Sequence, residues 1–138
     1  LEVFLINSVE QKIIFYFIIT ICICTDIGGY LFGKTFKGRK LTKISPNKTY
    51  SGLYGSYIFS TTLCIFLYDE YFSYQIIFLT CILISTISQI GDLFFSYLKR
   101  KAKIKDTSNI LPGHGGVLDR IDGMIFAIPF GMILYKIL

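Results

Sequence analysis

The chain has 138 residues, 53% of them hydrophobic, and its mean hydropathy is +0.59. A soluble globular domain needs a largely polar surface, so this composition argues against one and favours an integral membrane protein. The net charge of +5 does not indicate nucleic-acid binding, because the basic residues are grouped between apolar segments instead of covering one surface.

The apolar segments predict an all-α, polytopic membrane protein in which residues 1–138 form a single membrane-embedded domain. A transmembrane helix needs about 20 mostly apolar residues. Four segments qualify, at 13–33, 52–68, 74–98 and 121–138. The second and fourth are short, and they would need a locally thinned bilayer or flanking side chains that reach the headgroups.

The start of the chain carries no recognisable secretory signal. It opens with Leu1, Glu2 and Val3, without a basic segment and without a small-residue cleavage site. The chain also opens without an initiator Met. We therefore expect it to begin within a longer protein.

The four cysteines all lie in apolar segments, and none has the C-x-x-C spacing typical of zinc or redox sites. We interpret them as small apolar residues that are buried or face lipid. They are Cys22, Cys24, Cys64 and Cys81.

The basic residues fall mainly into two connections between the predicted helices. Twelve of the fourteen Lys and Arg residues lie in 34–51 and 99–120, whereas the connection at 69–73 carries Asp69 and Glu70. By the positive-inside rule both basic connections face the cytoplasm, and the acidic connection and both chain ends face the opposite side. Orientation alone, or attraction to anionic headgroups, would also explain these cations.

Two carboxylates lie inside predicted membrane helices, Asp26 in the first and Asp92 in the third. A carboxylate at depth in a bilayer costs several kcal/mol unless it faces a polar cavity, a cation or a partner, so each indicates a functional site. An interhelical hydrogen bond or a position near the headgroups is the alternative for either one alone. Asp92 is followed at helical spacing by Ser96, Lys99 and Arg100, which predicts one polar helix face.

The segment 112–123 is rich in glycine and ends in two carboxylates. Glycines on both sides of His114 allow the backbone to approach an anion and to offer N–H groups to phosphate oxygens. Asp119 and Asp122 are three residues apart at the start of the last predicted helix. Helix capping would also explain one of these carboxylates, and a structural role would also explain the histidine.

Carboxylates close to a cluster of Lys and Arg are what metal-assisted phosphoryl or nucleotidyl transfer requires. Mg²⁺ takes one or two protein carboxylates together with substrate phosphate oxygens and water, and cations neutralise the remaining phosphate charge. The sequence contains no Cys/His metal box, no P-loop and no G-x-S-x-G motif.

The residue order in two segments resembles the phosphatidate cytidylyltransferase family. The first segment reads Ser96-Tyr97-Leu98-Lys99-Arg100, Lys105-Asp106, Ser108, Leu111-Pro112, His114-Gly115-Gly116-Val117 and Asp119-Arg120-Ile121-Asp122. The second reads Asp26, Gly29-Tyr30, Gly33-Lys34, Phe36, Lys40-Leu41, Ile44-Ser45-Pro46, Lys48-Thr49 and Gly52. Together they extend over most of the chain.

The resemblance implies an enzyme of a bacterial-type inner membrane, with its active site facing the cytoplasm, that transfers CMP from CTP to phosphatidic acid. The products would be CDP-diacylglycerol and pyrophosphate. Asp92 and Asp119 would bind a divalent metal such as Mg²⁺, and the resemblance allows an additional monovalent cation. The phosphate-binding residues would be Lys99, Arg100, Lys105 and Arg120.

The remaining motif positions are further candidates for catalysis or substrate binding. The resemblance places Asp106, His114 and Asp122 in the catalytic region. It places Asp26, Ser45, Pro46, Lys48, Thr49, Ser96, Gly115 and Gly116 among the substrate-binding positions.

Two departures from the family pattern bear on activity. The family's proteins are considerably longer, and their amino-terminal helices have no counterpart here, so a homodimer or a chain that supplies those helices is an expected partner. Ser51 also stands where the family often has an acidic or amide residue. A truncated, inactive or split-subunit remnant is therefore the main alternative, and a small transporter that uses Asp26 and Asp92 is another.

Overall fold

The structure, a computed structural model, describes residues 9–41, 48–68, 70–102 and 117–137, with the side chains of the last segment described from residue 123 onward. Within these residues the chain forms four α-helices and no strand. They are α1 (Val9–Phe36), α2 (Tyr50–Tyr68), α3 (Tyr74–Lys101) and α4 (Val117–Ile137). The all-α prediction is confirmed, and a helix stands at each of the four predicted segments.

Helix α1 is longer at both ends than the apolar segment 13–33 that predicted it, and α3 continues beyond 98 to Lys101. Residues with straight side chains, such as Gln11 and Lys34, lose little rotamer freedom in a helix, so the helical hydrogen bonds continue past the apolar segment. Hydropathy located the centres of these helices more accurately than their ends.

Consecutive helices run antiparallel. The hydroxyls of Thr20 and Tyr68 lie 3.1 Å apart and join the first half of α1 to the end of α2. Those of Ser60 and Ser85, 3.2 Å apart, join the middle of α2 to the middle of α3. The helix ends that flank the two basic connections, 34–51 and 99–120, therefore lie together at one end of the bundle, as expected if both face one side of a membrane.

Small residues bring α1 and α2 into close contact. A Cβ atom on Gly52 would lie 2.6 Å from the carbonyl oxygen of Gly29, and one on Gly28 would lie 2.8 Å from Cβ of Phe59. Such close backbone approach maximises van der Waals contact, and it is typical of helix pairs in membranes.

The bundle core combines apolar side chains with a group of buried hydroxyls. Ile18, Ile21 and Ile77 are fully buried, as are the hydroxyls of Thr25 and Ser85, which lie 2.7 Å apart. The four cysteines are unpaired and buried, in agreement with the prediction. Each buried hydroxyl that finds a partner avoids the penalty of an unsatisfied polar group.

Two of the helices, α1 and α3, are long and apolar enough to cross a membrane, judged by length and composition over the described residues. In α4 the apolar stretch is shorter and covers Gly123–Ile137. Every helix also exposes large apolar side chains, which are the ones that a lipid environment would accept. Examples are Ile27 (45% exposed), Ile58 (61%), Phe78 (56%) and Ile133 (47%).

Candidate functional site

A polar cavity of ≈ 280 Å³ lies at the end of the bundle that carries the two basic connections, between α1, α2 and α3. Its lining includes two carboxylates, one ammonium group, three aliphatic hydroxyls, one amide and one phenol. These belong to Asp26, Asp92, Lys48, Thr25, Thr49, Ser56, Gln89 and Tyr30. Because it gathers three charged side chains, this cavity is the natural position for a polar ligand.

Lys48 and Asp92 form an ion pair in the cavity. Nζ of Lys48 donates a hydrogen bond to Oδ2 of Asp92 over 3.1 Å, and the side chains are only 30% and 27% exposed. A partly buried carboxylate requires such a partner, because its charge has lost much of its hydration. The polar group expected opposite Asp92 is therefore the Lys48 ammonium.

Backbone hydrogen bonds hold Lys48 at the bundle. The amide of Leu41 donates to the carbonyl of Lys48 over 2.7 Å, and Lys40 and Thr49 form an antiparallel bridge. Thr49 then caps α2, since its Oγ1 accepts the amide N–H of Gly52 at 3.2 Å. The two-residue motif Lys48-Thr49 thus places one cation in the cavity and starts the helix that forms one of its walls.

Asp26 reaches the same cavity from α1. It lies one turn before Tyr30, which also lines the cavity, and next to Thr25, whose hydroxyl is buried among the helices. The two carboxylates that the sequence places inside membrane helices are therefore brought to one cavity from different helices. This juxtaposition brings Asp92 of α3 to the part of the chain that carries the resemblance segment from Asp26 to Gly52.

The other predicted residues of α3 lie beyond the cavity lining. Ser96, Lys99 and Arg100 follow Asp92 on the helix within the bounds of α3, as predicted. Ser96 and Lys99 are half-buried and Arg100 is exposed. They extend the polar helix face from Asp92 toward the basic connection that follows α3.

Several predicted site residues fall outside what the structure describes. Ser45, Pro46, Lys105, Asp106, His114, Gly115 and Gly116 lie outside the described residues. Asp119, Arg120 and Asp122 belong to α4, as the prediction of a helix start there requires, but their side chains lie outside the description.

Gly123 fixes the position of α4 relative to Asp92. A Cβ atom at Gly123 would lie 2.8 Å from Oδ1 of Asp92 and 2.5 Å from Oγ of Ser88. Position 119 is one helical turn before Gly123 and therefore lies on the same helix face. Because α3 and α4 run antiparallel, this turn of α4 stands beside the part of α3 that follows Asp92.

The residues around Asp92 fit a hard divalent metal. Mg²⁺ requires one or two protein carboxylates, and its other ligands are oxygens of water and phosphate. Oγ of Ser88 and Oδ1 of Asp92 both lie close to Gly123. Oγ of Ser88 is buried and has no hydrogen-bond partner within the described part of the chain. Residues 9–41, 48–68, 70–102 and 123–137 contain no cluster of three or more His, Cys, Asp or Glu side chains that could hold a metal.

Sequence reasoning missed Gln89 and Ser56, which line the cavity with a hydrogen bond between them. Gln89 stands three residues before Asp92, so helical spacing could have placed it on the polar face of α3. No sequence signal distinguishes Ser56 from the other serines of α2, because its contact with α3 depends on how the helices pack.

Comparison with known proteins connects this chain to one family. The model of the cytidylyltransferase family matches residues 2–138. The chain is 38% identical to the phosphatidate cytidylyltransferase of Rickettsia typhi, over 98% of this chain and 64% of the relative. It is 46% identical to that of Rickettsia bellii, over 75% of this chain and 49% of the relative.

A third relative is more distant in origin. The phosphatidate cytidylyltransferase of Bacillus subtilis is 44% identical over 77% of this chain and 41% of the relative. The chain thus spans about half the length of the relatives it matches, from 41% to 64% in these comparisons. The resemblance found in the motif residues is confirmed, and the chain belongs to the cytidylyltransferase family.

Proposed function

We propose that this chain forms the catalytic part of a phosphatidate cytidylyltransferase, which transfers CMP from CTP to phosphatidic acid and releases pyrophosphate. The observation that carries the proposal is the convergence of Asp26, Asp92 and Lys48 on one cavity. Family membership supports the same reaction, since the relatives named above are phosphatidate cytidylyltransferases.

The proposed setting is a bacterial-type inner membrane that the single domain 1–138 crosses several times, with the cavity facing the cytoplasm. The apolar length of α1 and α3 and the exposed apolar side chains on all four helices support this setting. The basic connections at the cavity end support the orientation, because short cytoplasmic connections are enriched in Lys and Arg.

In the proposed reaction a phosphate oxygen of phosphatidic acid attacks the α-phosphorus of CTP, and the bond to the pyrophosphate leaving group breaks. A phosphate monoester is already anionic near neutral pH, so no strong base is needed. The residues of the chain have to align the two anions and neutralise their charge. Lys48 lies in the cavity for this role, and Lys99, Arg100, Lys105 and Arg120 are proposed to bind the remaining phosphate oxygens.

Asp92 and Asp119 are proposed to hold the Mg²⁺ ion, and the same site is proposed to bind an additional monovalent cation. Bound there, the metal would supply positive charge that lowers the repulsion between the phosphates. Lys48 then has two roles: it balances Asp92 before the substrates bind, and it is available to a phosphate oxygen afterwards. Asp26, Thr49 and Ser96 are proposed to contact substrate, and Asp106, His114 and Asp122 are proposed to belong to the catalytic region.

The test is conversion of labelled CTP and phosphatidic acid to CDP-diacylglycerol in membranes that contain this chain and the amino-terminal half of a relative. We expect product only with a divalent metal. Asp92→Asn should abolish it while membrane insertion stays normal, and Glu70→Gln, at the other end of the bundle, is the matched control. Full activity of Asp92→Asn would refute the proposal.

The same assay without the amino-terminal half addresses the alternative of a truncated or split enzyme. Activity that depends on the added half would identify the chain as one part of a split assembly. Activity of the chain alone would point to a self-sufficient unit, such as a homodimer. Inactivity in both preparations would favour an inactive remnant.

A further inference from the structure

Two successive hydrogen bonds fix the side-chain amide of Gln89. Oγ of Ser56 donates to the carbonyl oxygen of Leu53 over 2.7 Å, and Nε2 of Gln89 donates to Oγ of Ser56 over 2.7 Å. A serine hydroxyl has one hydrogen, and here Leu53 accepts it, so the Ser56 oxygen acts toward Gln89 only as an acceptor. The amide nitrogen of Gln89 must therefore face Ser56.

This arrangement determines what Gln89 offers to a ligand. Its Oε1 atom is an acceptor and its second N–H is a donor, and both belong to one planar group at the cavity wall. Turning the amide over would exchange donor and acceptor, but it would place two acceptors, Oε1 and the Ser56 oxygen, against each other. The order of acceptor and donor is thus held by Ser56, a residue that is only 1% exposed.

Among pyrimidines, this order matches cytosine. The Watson–Crick edge of cytosine presents an amino donor next to a ring-nitrogen acceptor, which complements an acceptor and a donor on the protein. Held in the same pose, uracil would present its O4 acceptor and its N3–H donor, and would meet like groups at both positions. We propose that Gln89 reads the cytosine edge of the nucleotide and that Ser56 is the positioning residue that makes this reading selective against uracil.

The rest of the cavity is suited to a base at this point. Tyr30, Leu41 and Leu53 contribute aromatic and apolar surface against which a pyrimidine ring can pack. Gln89 precedes Asp92 by three residues, which is a rise of about 4.5 Å along α3. The base would then lie one helical turn from the charged groups proposed to bind phosphate. The inference rests on the proposed function only in taking the ligand to be a nucleotide.

The experiment compares CTP with UTP in Ser56→Ala, Gln89→Leu and the control Ser60→Ala. Ser60 matches Ser56 closely, because it is also a buried serine of α2 and lies one turn later. Its hydroxyl likewise donates to the carbonyl three residues before it, that of Tyr57, over 3.2 Å. The other hydrogen-bond partner of Ser60 is Ser85, and neither Ser60 nor Ser85 lines the cavity. Membrane insertion of each variant is checked first.

Two readouts are used: the ratio of kcat/KM for CTP and UTP, and the competition of unlabelled CTP or UTP against photo-crosslinking of labelled CTP. We expect the preference for CTP to fall about tenfold to a hundredfold in Ser56→Ala and in Gln89→Leu, and to stay within about twofold of wild type in Ser60→Ala. An undiminished preference for CTP in either Ser56→Ala or Gln89→Leu would overturn the proposal.

The two readouts separate this inference from the proposed function. Turnover with a CTP preference that neither variant alters would contradict the role of Gln89 and leave the enzymatic proposal intact. Selective crosslinking that depends on Gln89 and Ser56, without turnover in wild type, would support the base-reading role and contradict the enzymatic proposal.

Discussion

Lys48 and Asp92 are 44 residues apart in the sequence, yet Nζ of the first lies 3.1 Å from Oδ2 of the second. The contact joins the connection between α1 and α2 to the middle of α3. It places a cation and a carboxylate in the same cavity, which is the arrangement that the binding of a metal and a phosphate would use.

Replacing Lys48 should impair the use of CTP. Lys48→Met removes the ammonium that we assign to phosphate and leaves Asp92 without its partner, so kcat/KM for CTP should fall about 10²- to 10³-fold. Lys101→Met, which removes an exposed cation from the last turn of α3, is the control and should have little effect. Steady-state rates at varied CTP concentration measure both, and equal losses in the two variants would argue against a specific role for Lys48.

Gly123 should tolerate no side chain. A methyl group there meets Oγ of Ser88 and Oδ1 of Asp92, so Gly123→Ala should displace α4 from Asp92 and lower both activity and thermal stability. In Gly131→Ala the nearest atoms are Cδ1 and Cγ1 of Ile18, at 2.7 Å and 2.9 Å, so the Ile18 side chain must shift but the contact with Asp92 is untouched. We expect Gly131→Ala to retain more than half of the activity. A greater loss of activity in Gly131→Ala than in Gly123→Ala would contradict the proposed importance of the contact between Gly123 and Asp92.

The contact between α1 and α2 allows a matched comparison of two glycines. Gly52→Ala brings a methyl group to 2.6 Å from the backbone oxygen of Gly29, whereas Gly29→Ala creates only an ordinary contact of 3.8 Å with the oxygen of Gly52. Overpacking of this kind typically costs about 1–3 kcal/mol. Thermal unfolding in detergent should therefore show a clear loss of stability in Gly52→Ala and little change in Gly29→Ala; the reverse order would show that the helices pack differently.

The orientation in the membrane can be measured with single cysteines at the two ends of the bundle. The four native cysteines are buried, so added ones should dominate labelling. With intact spheroplasts, a membrane-impermeant maleimide should label Glu70→Cys but not Lys101→Cys, and disrupted membranes should allow both. Labelling of Lys101→Cys in intact spheroplasts would place the cavity on the outer side and contradict the proposed function.

The sequence predicted the helices of this fold well because long, nearly continuous apolar segments are typical of helices. It predicted the helix ends less well, since α1 continues through polar residues such as Lys34 that hydropathy excludes. The residue types of the site were also predictable, because carboxylates such as Asp26 and Asp92 stand out within apolar segments. The sequence did not predict which of these groups meet, because the pairing of Asp92 with Lys48 depends on how α1, α2 and α3 pack.

Gln89 illustrates the limit of residue-by-residue reading. A glutamine in the middle of a helix is unremarkable by composition, and it gains significance only when Ser56 of another helix is found to hold its amide. Hydrogen-bond direction, the property that gives this residue its proposed selectivity, has no counterpart in a sequence pattern.

Direct binding of Mn²⁺ in place of Mg²⁺ tests, independently of turnover, the proposal that Asp92 and Asp119 hold a divalent metal at the cavity. Electron paramagnetic resonance of the solubilised protein with CTP should show bound Mn²⁺ in wild type and in Glu70→Gln. We predict that Asp92→Asn and Asp119→Asn each weaken this binding at least about tenfold, as expected when a site with so few carboxylates loses one of them. Unchanged Mn²⁺ binding in both variants would contradict the account.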